Sequence, residues 1–174
     1  MIPAISIVGH HDSGKTRLIS RVLPILTSRG LRVGTVKLSP HLEEVDAPGT
    51  DSSLHLKSGA TRVLLRGETT SGLFWHHDSA NFLAELQRHF QGCDLVLVEG
   101  GKGGPLPKIE VFRRVGDVRR EPLAGQIDVV GFVSNERVAV SDDLERFALH
   151  DLDEIADFIE AIAFGVSEEP AADA

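Results

Sequence analysis

The sequence predicts an α/β fold of three layers, with a mostly parallel central sheet between two layers of helices. Short apolar runs alternate along the chain with segments of helical periodicity. Residues 94–99 contain four consecutive apolar residues, 95–98, between two acids, and such a run suits a parallel strand covered on both faces. A glycine-rich turn also joins the first strand to the first helix. With 174 residues, the chain suits a single domain over residues 1–165 and a flexible acidic tail over residues 166–174.

The first part of the chain begins with a β-α-β unit. Residues 5–8 form an apolar strand, residues 18–26 repeat apolar side chains at helical spacing, and Gly30 ends that helix. Residues 31–37 then predict a second strand, and a polar stretch over residues 39–50 follows it. The elements predicted next are a short helix over 51–58, strands over 61–66 and 72–75, and a helix over 79–90.

The second part of the chain continues the alternation of strands and helices. Residues 108–113 alternate apolar and charged side chains, which predicts a half-exposed or edge strand. The other predicted elements are a buried strand over 94–99, strands over 129–133 and 137–140, and a helix over Leu152–Phe164. Loops that follow parallel strands meet at one edge of the sheet, so we expect loops 9–16, 37–51 and 99–107 to form one site.

The composition excludes several classes of function. The net charge is −8 and no block of Lys or Arg occurs, so we expect no nucleic-acid partner. Cys93 is the single cysteine and no signal-like segment occurs, so we expect a reduced protein in the cytoplasm. Every apolar run is far too short for a bilayer, so no membrane partner is expected. Two pairs of adjacent histidines lack accompanying cysteines, so no structural zinc site is predicted.

Residues 9–16 read GHHDSGKT and match the phosphate-binding pattern G-x-x-x-x-G-K-[ST] between a strand and a helix. Backbone N–H groups at the start of such a helix point at one anion. Lys15 would reach the β- and γ-phosphate oxygens, and Thr16 would offer its hydroxyl to Mg²⁺. The motif predicts a P-loop NTPase fold. The residues expected to bind the nucleotide at this loop are Gly9, Asp12, Ser13, Gly14, Lys15 and Thr16.

Phosphoryl transfer on such a loop needs Mg²⁺, and an acid at the end of a neighbouring buried strand usually helps to hold it. Glu99 ends the strand over residues 94–99 and is that candidate. Asp46 lies in the polar loop after the second strand, where a residue can reach the metal or the attacking water. We therefore predict Thr16, Asp46 and Glu99 as metal ligands, and Lys15, Asp46 and Glu99 as the catalytic residues. Asp94 begins the same strand as Glu99 and is expected to serve only as a cap or a surface charge.

The choice of base is the least determined feature of the predicted site. The guanine-reading motif N-K-x-D does not occur in the sequence. Asn135 follows the predicted strand over residues 129–133 and could donate or accept a hydrogen bond at a purine edge. A turn after a strand also favours asparagine for its backbone alone. The residues therefore leave GTP and ATP open as ligands.

Several segments together resemble the MobB family. They are the P-loop, LRVGTVK over 31–37, VDAPGTDSSLHLKSGA over 45–60, LVLVEG over 95–100 and PLPKIEVFR over 105–113. The resemblance implies a GTP-binding adaptor of molybdenum cofactor biosynthesis, with weak GTPase activity and GTP and Mg²⁺ as ligands. It also implies a homodimer and a partnership with the guanylyltransferase that joins GMP to molybdopterin, with molybdopterin or its carrier as a further partner. The segment over 105–113 would be family-specific structure without an assigned role.

Two other functions remain compatible with the predicted P-loop. One is a kinase that uses ATP on a small molecule, although no arginine-rich lid segment is evident. The other is a metal-insertion GTPase chaperone, which would be expected to carry Cys and His ligands in a loop, whereas Cys93 is the single cysteine. Transfer of phosphate to a small molecule would support the first, and stoichiometric binding of Ni²⁺ or Zn²⁺ the second.

Overall fold

The structure is a computed structural model that describes residues 1–39, 41–42, 44–77, 81–114 and 120–165. The predicted tail over residues 166–174 lies outside them. The helices and strands in chain order are β1 (Ala4–Val8), α1 (Lys15–Ser28), β2 (Val33–Lys37), α2 (Asp51–Lys57), β3 (Val63–Arg66), β4 (Ser71–Phe74), α3 (Phe82–His89), β5 (Leu95–Glu99), β6 (Lys108–Val111), a 3-10 turn (Leu123–Gly125), β7 (Gly131–Val133), β8 (Glu145–Phe147) and α4 (Leu152–Phe164).

Six strands form one sheet in the order β2-β5-β1-β6-β7-β8, and every neighbouring pair is parallel. This arrangement confirms the predicted α/β class with a mostly parallel sheet. Because all six strands run in the same direction, the loops after β1, β2, β5 and β6 leave from one edge. Among them are the glycine-rich turn after Val8 and the loops after Lys37 and Glu99.

The side chains of the central strands alternate between two buried faces. Ile5 and Ile7 of β1 and Leu97 of β5 belong to the apolar cluster that includes the buried faces of α1 and α4. Ser6, between Ile5 and Ile7, and Val98, next to Leu97, are equally buried. They must point to the opposite face because successive strand residues alternate. A sheet buried on both faces explains why residues 95–98 are apolar without interruption.

Helix α1 begins directly after Gly14, which adopts the left-handed conformation at φ 102°. Its buried residues recur at helical spacing and are Leu18, Ile19, Val22 and Leu26. Gly30, at φ 90°, follows the helix as predicted, and its N–H donates to the carbonyl of Thr27. The predicted closing helix over Leu152–Phe164 is also confirmed.

Two strand predictions are wrong. The segment over residues 108–113 is not an edge strand, because β6 lies between β1 and β7 and buries Ile109, Glu110 and Val111 completely. The apolar and charged residues alternate in this segment because Glu110 is a buried carboxylate, and not because one face of the strand meets solvent. Residues 137–140 form no strand, and the last strand is β8, which pairs with β7. This short edge strand carries exposed Glu145 and Arg146, so no apolar run marks it.

The contacts divide the chain into two units, the first comprising residues 1–38 and 86–174 and the second residues 39–85. The second unit contains α2 and a hairpin of β3 and β4. Thr50 caps α2 because its side chain accepts the N–H of Ser53. The hairpin is antiparallel, with Leu64 opposite Leu73, and its turn is closed by the N–H of Gly67 on the carbonyl of Thr70. Within the described residues, no helix combines the length and apolarity needed to cross a membrane.

Candidate nucleotide site

The turn between β1 and α1 adopts a conformation that few sequences permit. Gly9, Asp12 and Gly14 have positive φ angles of 150°, 60° and 102°. The N–H of Ser13 donates to the carbonyl of His10 at 3.3 Å, and α1 begins at Lys15. The first N–H groups of a helix have no acceptor within it, and they attract an anion. The turn therefore presents backbone donors at the carboxyl edge of the sheet.

Only glycine fits at the first position of this turn. A Cβ on Gly9 would lie 2.3 Å from the carbonyl oxygen of Val111 and 2.6 Å from the Oγ of Ser13. The turn therefore packs directly against the end of β6. The hydroxyl of Ser13 is buried, and it has no hydrogen-bond partner among the described residues. A buried polar group without a partner is costly, and this hydroxyl lies inside the turn, packed against Gly9.

Lys15 lies across the turn. Its Nζ donates to the carbonyl oxygens of His10 at 2.6 Å and Gly9 at 3.3 Å. Burial lowers the pKa of Lys15, and the neighbouring charge of Glu99 acts in the opposite direction. Lys102 also lowers this pKa, which indicates that a second cation stands near the turn. Sequence reasoning missed Lys102, although it follows Gly100 and Gly101 directly after the strand that carries Glu99.

Thr16 and Glu99 meet at the start of α1. The Oγ1 of Thr16 donates to the Oε2 of Glu99 at 2.8 Å, and the Nζ of Lys37 lies 3.4 Å from Oε1. The sheet register produces this meeting, because Glu99 is level with Ile7 of β1 and with Lys37 of β2. A hydroxyl and a carboxylate are oxygen ligands of the kind that Mg²⁺ prefers.

A cavity of about 210 Å³ lies beside this pair. Thr16, Lys37 and Glu99 form part of its lining, and α1 and β2 supply apolar residues such as Ile19 and Val36. The cavity is large enough for hydrated ions or a small group next to the hydroxyl and the carboxylate. The structure thus brings Lys15, Thr16 and Glu99 to one place, and their roles toward a phosphate and a metal stay predictions.

Asp46 belongs to the second unit and is engaged within its own loop. Its Oδ2 accepts the hydroxyl of Thr50 at 3.0 Å, next to the cap of α2. Hydrogen bonds from Ser52 and then Thr50 lower the pKa of Asp46, so the carboxylate stays ionised. The structure gives Asp46 a local role at the start of α2, and its predicted metal role stays a prediction.

Two further predicted residues also form protein contacts. The Oδ1 of Asn135 accepts the N–H of Leu149 at 2.7 Å, which ties the loop after β7 to the segment before α4. Asp12 is exposed and pairs with the ring of His11 at 2.7 Å. These contacts explain both residues as loop structure. The predicted contacts of Asn135 and Asp12 with a nucleotide stay predictions.

The comparison with known proteins decides the family. A family model described as molybdopterin guanine dinucleotide synthesis protein B, MobB, matches residues 4–135. The chain belongs to the MobB family. A molybdopterin-guanine dinucleotide biosynthesis adapter protein of Haemophilus influenzae is 33% identical over 91% of this chain and 88% of its own length. The adapter protein of the same name from Escherichia coli is 30% identical over 91% of this chain and 92% of its own length.

Solved structures give the same result for the MobB fold. A crystal structure of molybdopterin-guanine biosynthesis protein B superposes with a TM-score of 0.70 at 30% identity, covering 91% of this chain and 99% of that one. The MobB family thus accounts for the glycine-rich turn, the parallel sheet and the order of the elements in this chain.

Sequence reasoning also missed residues of this MobB chain that contact the P-loop from outside it. The Nη1 of Arg120 donates to the carbonyl of His11 at 3.2 Å, and the Nε2 of His10 lies 2.9 Å from the carbonyl oxygen of Glu121. Behind them, Glu110 of β6 is fully buried. A charged residue between two apolar ones in a strand is the signal that could have identified Glu110.

Proposed function

We propose that this MobB-family chain is a GTP-binding adapter with weak GTPase activity that assists the attachment of GMP to molybdopterin. The observation that supports it is the phosphate-type turn at the start of α1, with Lys15, Thr16 and Glu99 gathered around it, in a chain whose family is described by molybdopterin guanine dinucleotide synthesis. A cytoplasmic location goes with this proposal, because GTP is a cytoplasmic metabolite.

The phosphate chain of the nucleotide would bind the N–H groups of the turn and of the first residues of α1. Lys15 now donates to two loop carbonyls, and an anionic phosphate would be a stronger acceptor for the same ammonium group. The unpartnered hydroxyl of Ser13 would gain a partner within the turn. Asp12, Gly9 and Gly14 would contribute through the backbone, because their positive φ angles give the turn the conformation in which its N–H groups can bind the phosphates.

Mg²⁺ would be held by the hydroxyl of Thr16 and the carboxylate of Glu99, which are 2.8 Å apart. When bound, Mg²⁺ would neutralise charge on the phosphate oxygens. One carboxylate suits Mg²⁺, because this ion keeps several water ligands and binds the phosphates of the nucleotide. The residues present therefore fit the ion. Lys37, 3.4 Å from Glu99, would keep this carboxylate oriented.

GTP is proposed over ATP on the strength of the family, and Asn135 is the residue proposed to meet the base. The proposed partners are the guanylyltransferase that joins GMP to molybdopterin, and molybdopterin or its carrier. A second copy of the chain is a further partner. The hairpin supports it, because the facing residues Leu64 and Leu73 are 64% and 39% exposed and an isolated two-stranded sheet is marginally stable.

Titration of fluorescent GTP and ATP, each with and without Mg²⁺, tests the binding. We expect GTP to bind more tightly than ATP and Mg²⁺ to strengthen the binding. Lys15→Ala should weaken GTP binding about 10- to 100-fold, because a hydrogen bond to a charged group contributes about 1.5–3 kcal/mol. Lys57→Ala, which removes an exposed lysine paired with Glu44, is the control and should bind GTP normally.

Equal GTP affinity in Lys15→Ala and the unaltered protein would contradict the phosphate site. The adapter role is tested by deleting the gene and measuring molybdopterin guanine dinucleotide. Unchanged levels after deletion would reject the pathway assignment even if GTP binds. Preference for ATP together with phosphate transfer to a small molecule would instead support a kinase.

A further inference from the structure

Glu110 is a carboxylate in the interior of the sheet. It is 0% exposed, and it lies between Ile109 and Val111, which both face the cluster with α1 and α4. Its side chain therefore points to the opposite face of the sheet. A buried carboxylate is stable only where donors compensate for the lost water. Its Oε1 accepts the N–H of Leu123 at 2.7 Å, and its Oε2 accepts the N–H of Ala124 at 2.8 Å.

These two bonds fix the 3-10 turn Leu123–Gly125 to β6. The residues just before this turn contact the P-loop, since Arg120 donates to the carbonyl of His11 and the Glu121 carbonyl lies 2.9 Å from the ring of His10. We call residues 120–124 the brace segment. Glu110 holds one end of the brace segment, and the P-loop holds the other.

The sheet connects the same two regions a second time. Glu110 of β6 is level with Val8 of β1, the residue directly before the P-loop. The next residue of β6, Val111, has the carbonyl oxygen that a Cβ on Gly9 would approach to 2.3 Å. The P-loop, the brace segment and β6 thus form a closed ring of contacts, and Glu110 is the buried member that joins the brace segment to the strand.

We propose that Glu110 is a positioning residue for the nucleotide site: it fixes the brace segment and thereby holds His10 and His11 in the conformation that binds phosphate. The inference rests on the nucleotide binding proposed above. An anion site made of backbone amides binds more tightly when its donors are held in place before the ligand arrives. This role explains why the family-specific segment PLPKIEVFR places a carboxylate inside an apolar strand.

Glu110→Gln tests the proposal with almost no change in size. The amide keeps one acceptor oxygen and turns the other into a donor, which then opposes a backbone N–H. In the nucleotide-free protein, hydrogen exchange should become faster over residues 120–126 and also over residues 9–16. GTP affinity should fall about tenfold, because the loss of one buried hydrogen bond loosens the brace segment and the P-loop must then be ordered when GTP binds. Exchange at the P-loop is the measurement that a purely local structural role would leave unchanged.

Asp94→Asn is the matched control. The carboxylate of Asp94 also accepts a backbone N–H, from Arg32 at 2.8 Å, but at the amino-terminal end of β5. This variant should leave both the exchange over residues 9–16 and the GTP affinity unchanged. Arg120→Ala removes one of the two contacts between the brace segment and the P-loop, and its combination with Glu110→Gln should weaken GTP binding less than the product of the two single effects, because both variants loosen the same segment.

Faster exchange over residues 120–126 with unchanged exchange over residues 9–16 would overturn the proposal, as would independent effects in the double variant. If Glu110→Gln does not fold, hydrogen exchange in Arg120→Ala tests whether the brace segment holds the P-loop. Faster exchange over residues 9–16 supports the proposal, and unchanged exchange rejects it. Failure of the unaltered protein to bind GTP would reject the proposed function, whereas the exchange data would still decide whether Glu110 positions the P-loop.

Discussion

Asp94 and Glu99 lie at the two ends of one strand and have different surroundings. Glu99 lies beside the P-loop with Thr16 and Lys37, where a cation would compete for its oxygens. Asp94 binds the N–H and the guanidinium of Arg32 at 2.8 Å each. The strand between them spans the sheet, so the two carboxylates cannot share one ion. At the residue scale, the position along a strand therefore distinguishes the proposed metal ligand Glu99 from Asp94, which pairs with Arg32.

The pairing of Asp94 predicts a dependence of stability on pH. Hydrogen bonds from the Arg32 side chain and backbone lower the pKa of Asp94 from 3.8 to about 2. The folded state therefore favours the ionised form, and this contribution is fully present above pH 3.8 and is lost as the pH falls towards 2. The free energy of unfolding should exceed that of Asp94→Asn at neutral pH, and the difference should shrink over this range.

Urea unfolding of both proteins at several pH values measures this difference. Arg32→Gln serves as a second variant, because loss of the guanidinium should weaken this pH dependence, while the backbone N–H of residue 32 still donates to Asp94 and preserves a part of it. A difference between the unaltered protein and Asp94→Asn that stays constant down to the lowest pH would show that Arg32 does not stabilise the charge of Asp94.

The residues of the site differ in how far the sequence alone reveals them. Lys15 and Thr16 are predictable because the P-loop motif specifies its own backbone, and Glu99 because a strand end next to that motif is recognisable. Glu110 and Arg120 are not, because their partners lie 13 and 109 residues away in the chain. Such contacts depend on the order of strands in the sheet, which local patterns do not contain.

At the scale of elements, close packing of α4 on the sheet depends on a residue without a side chain. A Cβ on Gly131 of β7 would lie 2.5 Å from a ring carbon of Phe158 in α4. Phe158 in turn packs against Phe147 of β8, with the ring centroids 5.1 Å apart. Gly131 therefore allows one aromatic ring to cover the end of the sheet.

Gly131→Ala should destabilise the protein by about 1–3 kcal/mol, because the ring of Phe158 would have to move within a packed cluster. Thermal or urea unfolding measures the loss. Gly103→Ala is the control, since a Cβ there would meet no atom within 4 Å. Equal stability of Gly131→Ala and the control would show that α4 can shift without loss.

Elements are predictable where a pattern repeats over several turns, and less so where the tertiary environment decides. Helix α4 has a long apolar face and was predicted to the residue. In the sequence, Glu110 interrupts the apolar residues of β6 and predicts an edge strand, whereas the N–H groups of Leu123 and Ala124 make this charge compatible with burial in the structure. The edge strand β8 has three residues, too few for a period to be recognised.

At the scale of the whole molecule, the second unit presents apolar side chains that a second copy could cover. Leu64 and Leu73 face each other across the hairpin and are 64% and 39% exposed. Exposed apolar residues that form a contiguous patch indicate an interaction surface. A patch that pairs with itself gives a closed dimer, the commonest form of homo-oligomer.

If the hairpin forms this dimer interface, glutamate at both Leu64 and Leu73 should convert the dimer to a monomer. The two glutamates of each hairpin would repel each other and the two glutamates of the second copy, and the interface would lose the apolar area of four leucines. Sedimentation velocity over a wide range of concentrations measures the molecular mass. Val130→Glu, which changes a partly exposed residue of the first unit, should leave the dimer intact. Circular dichroism checks that the doubly substituted protein is folded, and a dimer that persists in it would place the interface elsewhere.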